Sequence, residues 1–345
     1  MSKPVTMDDI ARHVGVTKMT VSCTLRDTGR VALATRERIR QACRELGYQP
    51  NAAARAVARG RFGAVALLLS THGGRSTMPG PLLTSIHDAL AERELHVMLT
   101  RLPDETLTSE GFVPQILREY LADGLLINYH HAVPDAMVRL IEDHHLPSIW
   151  LNAKRDHDAV YPDDFAAGRD ITAHLIELGH RRIAYHDLGR NAALREQGSR
   201  HYSQEDRCAG YREAMSEAGL TPRLIEDVES VTPKNVVQYT ADQLTAADRP
   251  TALVAGEHGI VRHAATLAGL AIPRDLSLAA FLVDPCVGDE MRPTAMIVPN
   301  AEMGTRAVGM LTRRIDNGEE KLRSHCIPLW FKDGCSTAPP RGDTS

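Results

Sequence analysis

A chain of 345 residues that is 43% hydrophobic holds a small head plus a body of two half-domains, and its six scattered cysteines, with no C-x-x-C pair, exclude a Cys-built zinc site and suit a reduced cytoplasmic setting. No apolar run approaches the ~20 residues needed to cross a bilayer and no signal peptide is read, so neither a membrane-spanning nor an exported protein is expected. The formal net charge of −4 hides an asymmetry: residues 1–62 carry 12 Lys and Arg against 5 Asp and Glu, a local +7 that leaves −11 for the rest, so only one end suits a polyanion.

The first elements lie in Thr6 to Leu25, T-M-D-D-I-A-R-H-V-G-V-T-K-M-T-V-S-C-T-L. Thr6 is placed as an N-cap, with Asp9 three residues on and favourable near the positive helix end. Ile10, Ala11 and Val14 recur at helical spacing, and Gly15 supplies the left-handed stop. Thr17 caps a second helix in which Val21 and Leu25, four apart, are expected to face inward. A small residue at a helix crossing, a turn glycine and a core anchor make a helix-turn-helix. A third helix, Thr35 to Leu46, places Ile39, Ala42, Cys43 and Leu46 on one face and most of its arginines elsewhere. Gly47 ends it, and Tyr48 to Asn51 leads into a short helix from Ala52 to Arg59 capped by Asn51.

These residues resemble the LacI/GalR family of bacterial transcription repressors. The matching words are V-T-M-D-D-I-A-R-H-V-G-V, T-V-S, A-T-R-E-R-I, L-G-Y-Q-P-N-A-A-A-R and R-F-G-A-V-A-L-L-L. Further words lie in the body, among them H-L-I-E-L-G-H-R-R-I-A, R-C-A-G-Y-R-E-A-M and I-P-R-D-L-S-L, so the likeness runs from about Thr6 to Ala338.

From Ala64 the pattern alternates strand and helix. Ala64 to Leu69 is a continuous apolar run, as in a strand covered on both faces. Leu82–Arg93, Phe112–Leu121 and Pro134–His144 read as helices, and Leu95–Thr100, Gly124–Ile127 and Ser148–Leu151 as strands. A second round has helices at Ala166–Leu178, Ser203–Ala218 and His258–Ala268 and strands at Arg182–His186, Ala252–Ala255 and Ser277–Val283. The fold class is therefore α/β: a small all-α head followed by a two-lobed, doubly wound parallel-sheet body. The resemblance implies a periplasmic-binding-protein-like architecture whose chain crosses between lobes near Asn152–Asp164 and again near Val283–Pro293. The expected domains are 1–47 (head), 48–61 (linker with hinge helix), 62–338 (effector-binding and dimerisation body) and 339–345 (disordered tail).

In a helix-turn-helix the second helix enters the major groove of double-stranded DNA. Lys18, Met19, Ser22 and Cys23, with Arg26 just beyond, are the base-reading candidates, with Thr6, Thr17, Arg30 and Thr35 as further contacts and Lys3 and Arg36 as further phosphate partners. The family usually holds arginine where Cys23 stands. Loss of a bidentate arginine–guanine contact removes ~1–3 kcal/mol of discrimination, so the operator sequence does not carry over. The family's hinge helix wedges a leucine into the minor groove; Val57 holds that position here, with Ala53, Ala54 and Arg55 beside it, and plain helix packing is the alternative for Val57.

For the effector, Arg207 matches the family arginine that clamps ligand hydroxyls or carboxylate; a surface ion pair with Glu205 or Asp206 is the alternative. His72, Asn128, Tyr129, Asp163, Asp164 and Glu257 are candidates at strand ends, with exposed loop residues as the bland reading, and Asp284 is the acid nearest the family's F-D-D position. Ala255-Gly256-Glu257 replaces the family's A-N-D, and Pro81-Leu82 replaces an aromatic pair, so no sugar specificity transfers. No metal site, catalytic motif or cofactor is read, and the His130-His131 and His144-His145 pairs do not suit chelation. The expectation is a homodimeric, non-enzymatic repressor of a pseudo-palindromic operator, modulated by a small-molecule effector of unknown identity. The alternatives are a solute-binding protein or a sugar-active enzyme on the same body.

Overall fold

The computed structural model describes residues 5–49, 61–72, 75–103, 122–130, 133–187, 201–226, 231–232, 234–283, 292–318 and 321–341. The chain divides into two compact units, Met1–Phe62 and Gly63–Ser345.

The first unit is built on α1 (Met7–Val14), α2 (Lys18–Leu25) and α3 (Leu33–Glu45). Thr6 and Asp9 form a reciprocal capping box, and Gly15 takes φ +73° so that its N–H closes on the Ala11 carbonyl. Ile10, Val21 and Ile39, all fully buried, meet at the centre. The inward partner of Val21 on α2 is Thr24, 1% exposed, and not Leu25, which is 37% exposed. Threonine is tolerated there because its hydroxyl donates to the Thr20 carbonyl at 2.9 Å, leaving no buried donor unmade. Helix α3 starts two residues before Thr35, with Ala32 as its cap.

The second unit has two six-stranded sheets. Lobe 1 holds β1 (Ala64–Ser70), β2 (His96–Leu102), β3 (Gly124–Asn128), β4 (Ser148–Leu151), β5 (Ala159–Pro162) and β11 (His325–Ile327), in the order β2-β1-β3-β4-β5-β11. Lobe 2 holds β6 (Ile183–Asp187), β7 (Arg223–Glu226), β8 (Ala252–Ala255), β9 (Ser277–Leu282), β10 (Thr294–Ile297) and β12 (Trp330–Lys332), in the order β7-β6-β8-β9-β10-β12. All pairs are parallel except β10 with β12. The helices are α4 (Gly80–Ala91), α5 (Asp135–Asp143), α6 (Asp164–Glu177), α7 (Tyr202–Glu217), α8 (Val236–Thr245), α9 (His258–Leu267) and α10 (Asn300–Asn317).

Apolar clusters lie on both faces of each sheet, which is why β1, β3, β4, β8, β9 and β10 are buried along their whole length. The first crossing falls at Asp163, between β5 and α6. The second is not marked by Val283–Pro293: the strands on either side of it, β9 and β10, are paired neighbours in lobe 2's sheet. The chain returns to lobe 1 after Val298, where α10 packs on α4 and lobe 1's strands, and crosses a third time between β11 and β12. Nor is residue 339 the start of a loose tail. The Ala338 carbonyl meets the His180 ring at 2.9 Å, and Arg341 pairs with Asp275 at 3.4 Å. The expected helix at Phe112–Leu121 and the hinge helix lie outside the described residues.

Candidate functional site

The head presents α2 outward from its Val21 anchor. Thr17 caps the helix, its Oγ1 accepting from the Thr20 N–H at 3.2 Å. Lys18 is exposed, Met19 is 73% exposed and Ser22 half-buried, so the N-terminal turn offers one cation, one apolar side chain and one hydroxyl to a partner. Lys18 pairs with Asp8 of α1 at 2.7 Å; both are more than half exposed, and such a pair costs only ~0–1 kcal/mol to open. Cys23 is half-buried and lies beside Gly29 in the loop to α3. Arg26 and Arg30 are exposed and Thr35 half-buried on α3.

Two candidates have local duties. Thr6 gives its hydroxyl to Asp9 at 2.6 Å in the capping box. Arg36 folds back, donating to the Val31 and Gly29 carbonyls at 3.2 and 3.0 Å and pairing with Asp27, so it clamps the turn between α2 and α3. Lys3, Ala53, Ala54, Arg55 and Val57 lie outside the described residues.

In the body, strand order reverses between β1 and β3 in lobe 1 and between β6 and β8 in lobe 2. Crevices at the carboxyl ends of such strands are where open α/β sheets take ligands. His72 follows β1, Asn128 ends β3, Asp187 ends β6 and Glu257 follows β8. His72 Nδ1 is buried without a hydrogen-bond partner among the described residues. Asn128 is fully buried with both ends of its amide engaged, Nδ2 donating to the Thr77 carbonyl at 2.8 Å and Oδ1 meeting the His130 ring at 3.0 Å, so it shapes the wall of the crevice. Tyr129 is buried in the core of lobe 1. Asp163 caps α6, accepting from the Ala166 N–H at 3.0 Å. Asp284 lies outside the described residues.

Arg207 pairs with neither Glu205 nor Asp206. Its Nε donates to Asp164 Oδ1 at 2.6 Å, and its guanidinium stacks 4.5 Å from the centre of the Phe281 ring. Asp164 is 0% exposed, its Oδ2 has no hydrogen-bond partner among the described residues, and burial raises its pKa against the opposing pull of Arg207. Backbone contact makes this pairing possible. A Cβ at Gly168 would stand 2.2 Å from the Arg207 carbonyl oxygen, and one at Gly210 would stand 2.1 Å from that of Phe165, so only glycines let α6 and α7 approach this closely.

The first turn of α7 also touches lobe 1. Asn152, held at φ +54°, accepts through its carbonyl from the His201 ring at 3.0 Å and through Oδ1 from the Tyr202 hydroxyl at 3.1 Å. Lys154 pairs with Asp206 at 2.6 Å, and the His130 ring meets the His201 ring at 5.4 Å. Sequence reasoning missed Asn152, Lys154, His201, Tyr202 and Asp187. Position at a strand end signalled Asp187 and Asn152; nothing local signalled the rest.

Residues 6–51 match the bacterial regulatory proteins of the lacI family, and residues 172–337 match the periplasmic binding protein-like domain. The chain is 27% identical to the HTH-type transcriptional repressor PurR of Erwinia tasmaniensis over 92% of its length and 93% of that protein. It is 29% identical to the HTH-type transcriptional regulator GntR of Escherichia coli over 91% of its length and 92% of that protein. Among solved structures, the lac repressor dimer bound to operator and the anti-inducer ONPF superposes with a TM-score of 0.76 at 20% identity, covering 97% of this chain and all (100%) of that one. The transcriptional regulator CelR in complex with cellobiose superposes with a TM-score of 0.61 at 22% identity, over 96% of this chain and 99% of that one. An exposed helix-turn-helix on a two-lobed body of this kind defines a DNA-binding transcriptional regulator with an effector domain. The chain belongs to the lacI family of bacterial regulatory proteins. No helix among the described residues is long and apolar enough to cross a membrane.

Proposed function

We propose that the protein is a cytoplasmic, homodimeric repressor that reads a pseudo-palindromic operator with two copies of α2 and responds to a small polar metabolite held between its lobes. The observation that carries the reading is α2 itself: a helix anchored by fully buried Val21 that turns Thr17, Lys18, Met19 and Ser22 outward from a basic head. Two-fold symmetry matches half-sites in successive major grooves. The resemblance to a repressor, PurR, and the likeness to a lac repressor dimer bound to operator support repression and dimerisation.

The working division is a head of residues 1–47, a linker with the hinge of residues 48–61 and a body of residues 62–338, in which Ala53, Ala54, Arg55 and Val57 meet the minor groove. In the cleft, Arg207 and Asp164 face the effector as a neutral, paired unit, which suits a ligand rich in hydroxyls. His72, Glu257 and Asp284 contribute from neighbouring strand ends, and Asp163 and Asn128 hold the walls.

The test is selection of DNA from a random library by the full-length protein at controlled salt. The expected outcome is a palindrome whose affinity falls steeply with salt, and whose half-site changes when Lys18 or Met19 is replaced by Ala. Salt-sensitive binding without a consensus would refute sequence-specific reading.

A further inference from the structure

Lobe 1 carries a second concave site on the loop that leads from β4 into β5 and on β11: a groove of about 790 Å³. Its walls are fixed by backbone pairing. His157 and Arg323 oppose each other in an antiparallel bridge, the Ser324 N–H donates to the Asp156 carbonyl at 3.1 Å, and the Ala159 N–H donates to Ser324 Oγ at 3.0 Å. Directly opposed residues send their side chains to the same face, so His157 and Arg323 project together. Tyr161 and Cys326, matched in the β5–β11 register, also line the groove.

Charge sets this groove apart. Elsewhere in lobe 1, Arg314 is paired with Asp158 and Arg306 with Glu302. Arg155 and Arg323 both line the groove, and neither has a carboxylate partner among the described residues. The guanidinium of Arg155 is pinned instead 4.3 Å from the centre of the Trp150 ring. His325, also in the lining, has its pKa lowered first by burial and then by Arg306, Arg313 and Arg323, which records a positive potential.

We propose that this groove binds a small phosphorylated polyhydroxy metabolite, with Arg155 and Arg323 on the phosphoryl oxygens and Asp156 accepting from ligand hydroxyls. Two uncompensated guanidiniums offer the fork geometry that phosphoryl oxygens take, and the hydroxyls of Tyr161 and Ser324 add neutral donors. Asp156 repels a bare anion but accepts from hydroxyls, so the lining favours a phosphate carried on a polyol over inorganic phosphate. The volume falls within the ~300–1,000 Å³ usual for metabolite sites and far exceeds what a lone phosphate fills. The site also adjoins the inter-lobe contacts: the Tyr161 ring stands edge-on to Tyr202 of lobe 2 at 6.0 Å, and Lys154 of the same loop pairs with Asp206. A ligand here gives the lobes a second input, independent of the cleft.

The test is calorimetric titration of the full-length protein with glucose 6-phosphate and glycerol 3-phosphate, beside glucose, inorganic phosphate and sulfate. The expected result is saturable binding of the phosphorylated polyols that weakens about tenfold or more in Arg155→Ala and in Arg323→Ala, the loss of one charge-assisted contact. Arg207→Ala, whose side chain does not line the groove, retains it under conditions where circular dichroism shows the variant folded. Three results would overturn the proposal: no saturable binding to wild type; equal binding of sulfate and the phosphorylated polyols; or binding abolished by Arg207→Ala and untouched by Arg155→Ala and Arg323→Ala. If Arg155→Ala fails to fold, the exposed Arg323→Ala and the charge-keeping Arg155→Lys carry the comparison, with Arg155→Lys expected to bind between wild type and Arg323→Ala.

Discussion

Replacing Arg207 by Ala strands a carboxylate. Asp164 is 0% exposed, and its carboxylate takes a 2.6 Å hydrogen bond from Arg207. At an effective dielectric of ~20 and a charge separation of ~4 Å, the attraction is about 4 kcal/mol. Breaking a buried pair from one side costs about 3–5 kcal/mol, because the remaining charge stays buried. The sign of the pH dependence follows from the raised pKa of Asp164. Its carboxyl stays protonated in the folded variant at pH values where the unfolded chain, near 3.8, has released its proton. Stability of the variant is therefore greatest below the unfolded value and is lost as pH rises through the folded one, so the penalty relative to wild type is larger at pH 8 than at pH 5. Urea unfolding followed by circular dichroism at both pH values reads this directly, and the double variant Arg207→Ala with Asp164→Asn should recover most of the loss. A penalty under ~1 kcal/mol, or one that ignores both pH and Asp164→Asn, would refute a structural pair and leave Arg207 to the ligand alone.

Burial lowers the His186 pKa from 6.5 to about 4, so the neutral ring beside Thr240 contributes stability above pH 6.5 that is lost as pH falls through 4. Over that window wild type should lose about 3 kcal/mol more than His186→Gln in matched melts, and parallel curves would contradict the reading. Gly210→Ala should cost about 3 kcal/mol, since its Cβ would meet the Phe165 carbonyl oxygen at 2.1 Å and the Arg169 nitrogen at 2.7 Å. Gly309→Ala in α10, with nothing within 4 Å, should stabilise by about 0.5–1 kcal/mol in the same melts.

The head was legible because its determinants are local. Thr6 with Asp9, Gly15 and Thr17 each act within four residues of themselves, and they fix both caps and the turn. One slip was helix phase: from Val21, the buried position is three residues on, at Thr24, and a polar residue there hides in an apolarity count. The long apolar strands were legible for the same reason. Strands β5, β7, β10, β11 and β12 escaped because each is three or four residues long and either carries charged or polar residues or lies outside the strand–helix alternation, and the second crossing was misplaced because it depends on β9 pairing with β10. Strand-end position was legible too: His72, Asp163, Asp164 and Glu257 all follow the carboxyl ends of strands. The partner of Arg207 escaped because the chain brings Asp164 to it only through two glycines on separate helices, Gly168 one turn after Asp164 and Gly210 three residues after Arg207.

The three crossings also set the order in which this protein comes to exist. The head's core is complete once Tyr48 has been made, while sheet 1 lacks its edge strand until Ile327 and sheet 2 until Lys332. At ~10 residues per second on the ribosome, the head waits roughly half a minute for a finished body. Neither lobe is a continuous segment, so no single cut after the head frees one intact. A nascent chain released early has the complete core of the head and unfinished versions of both lobes.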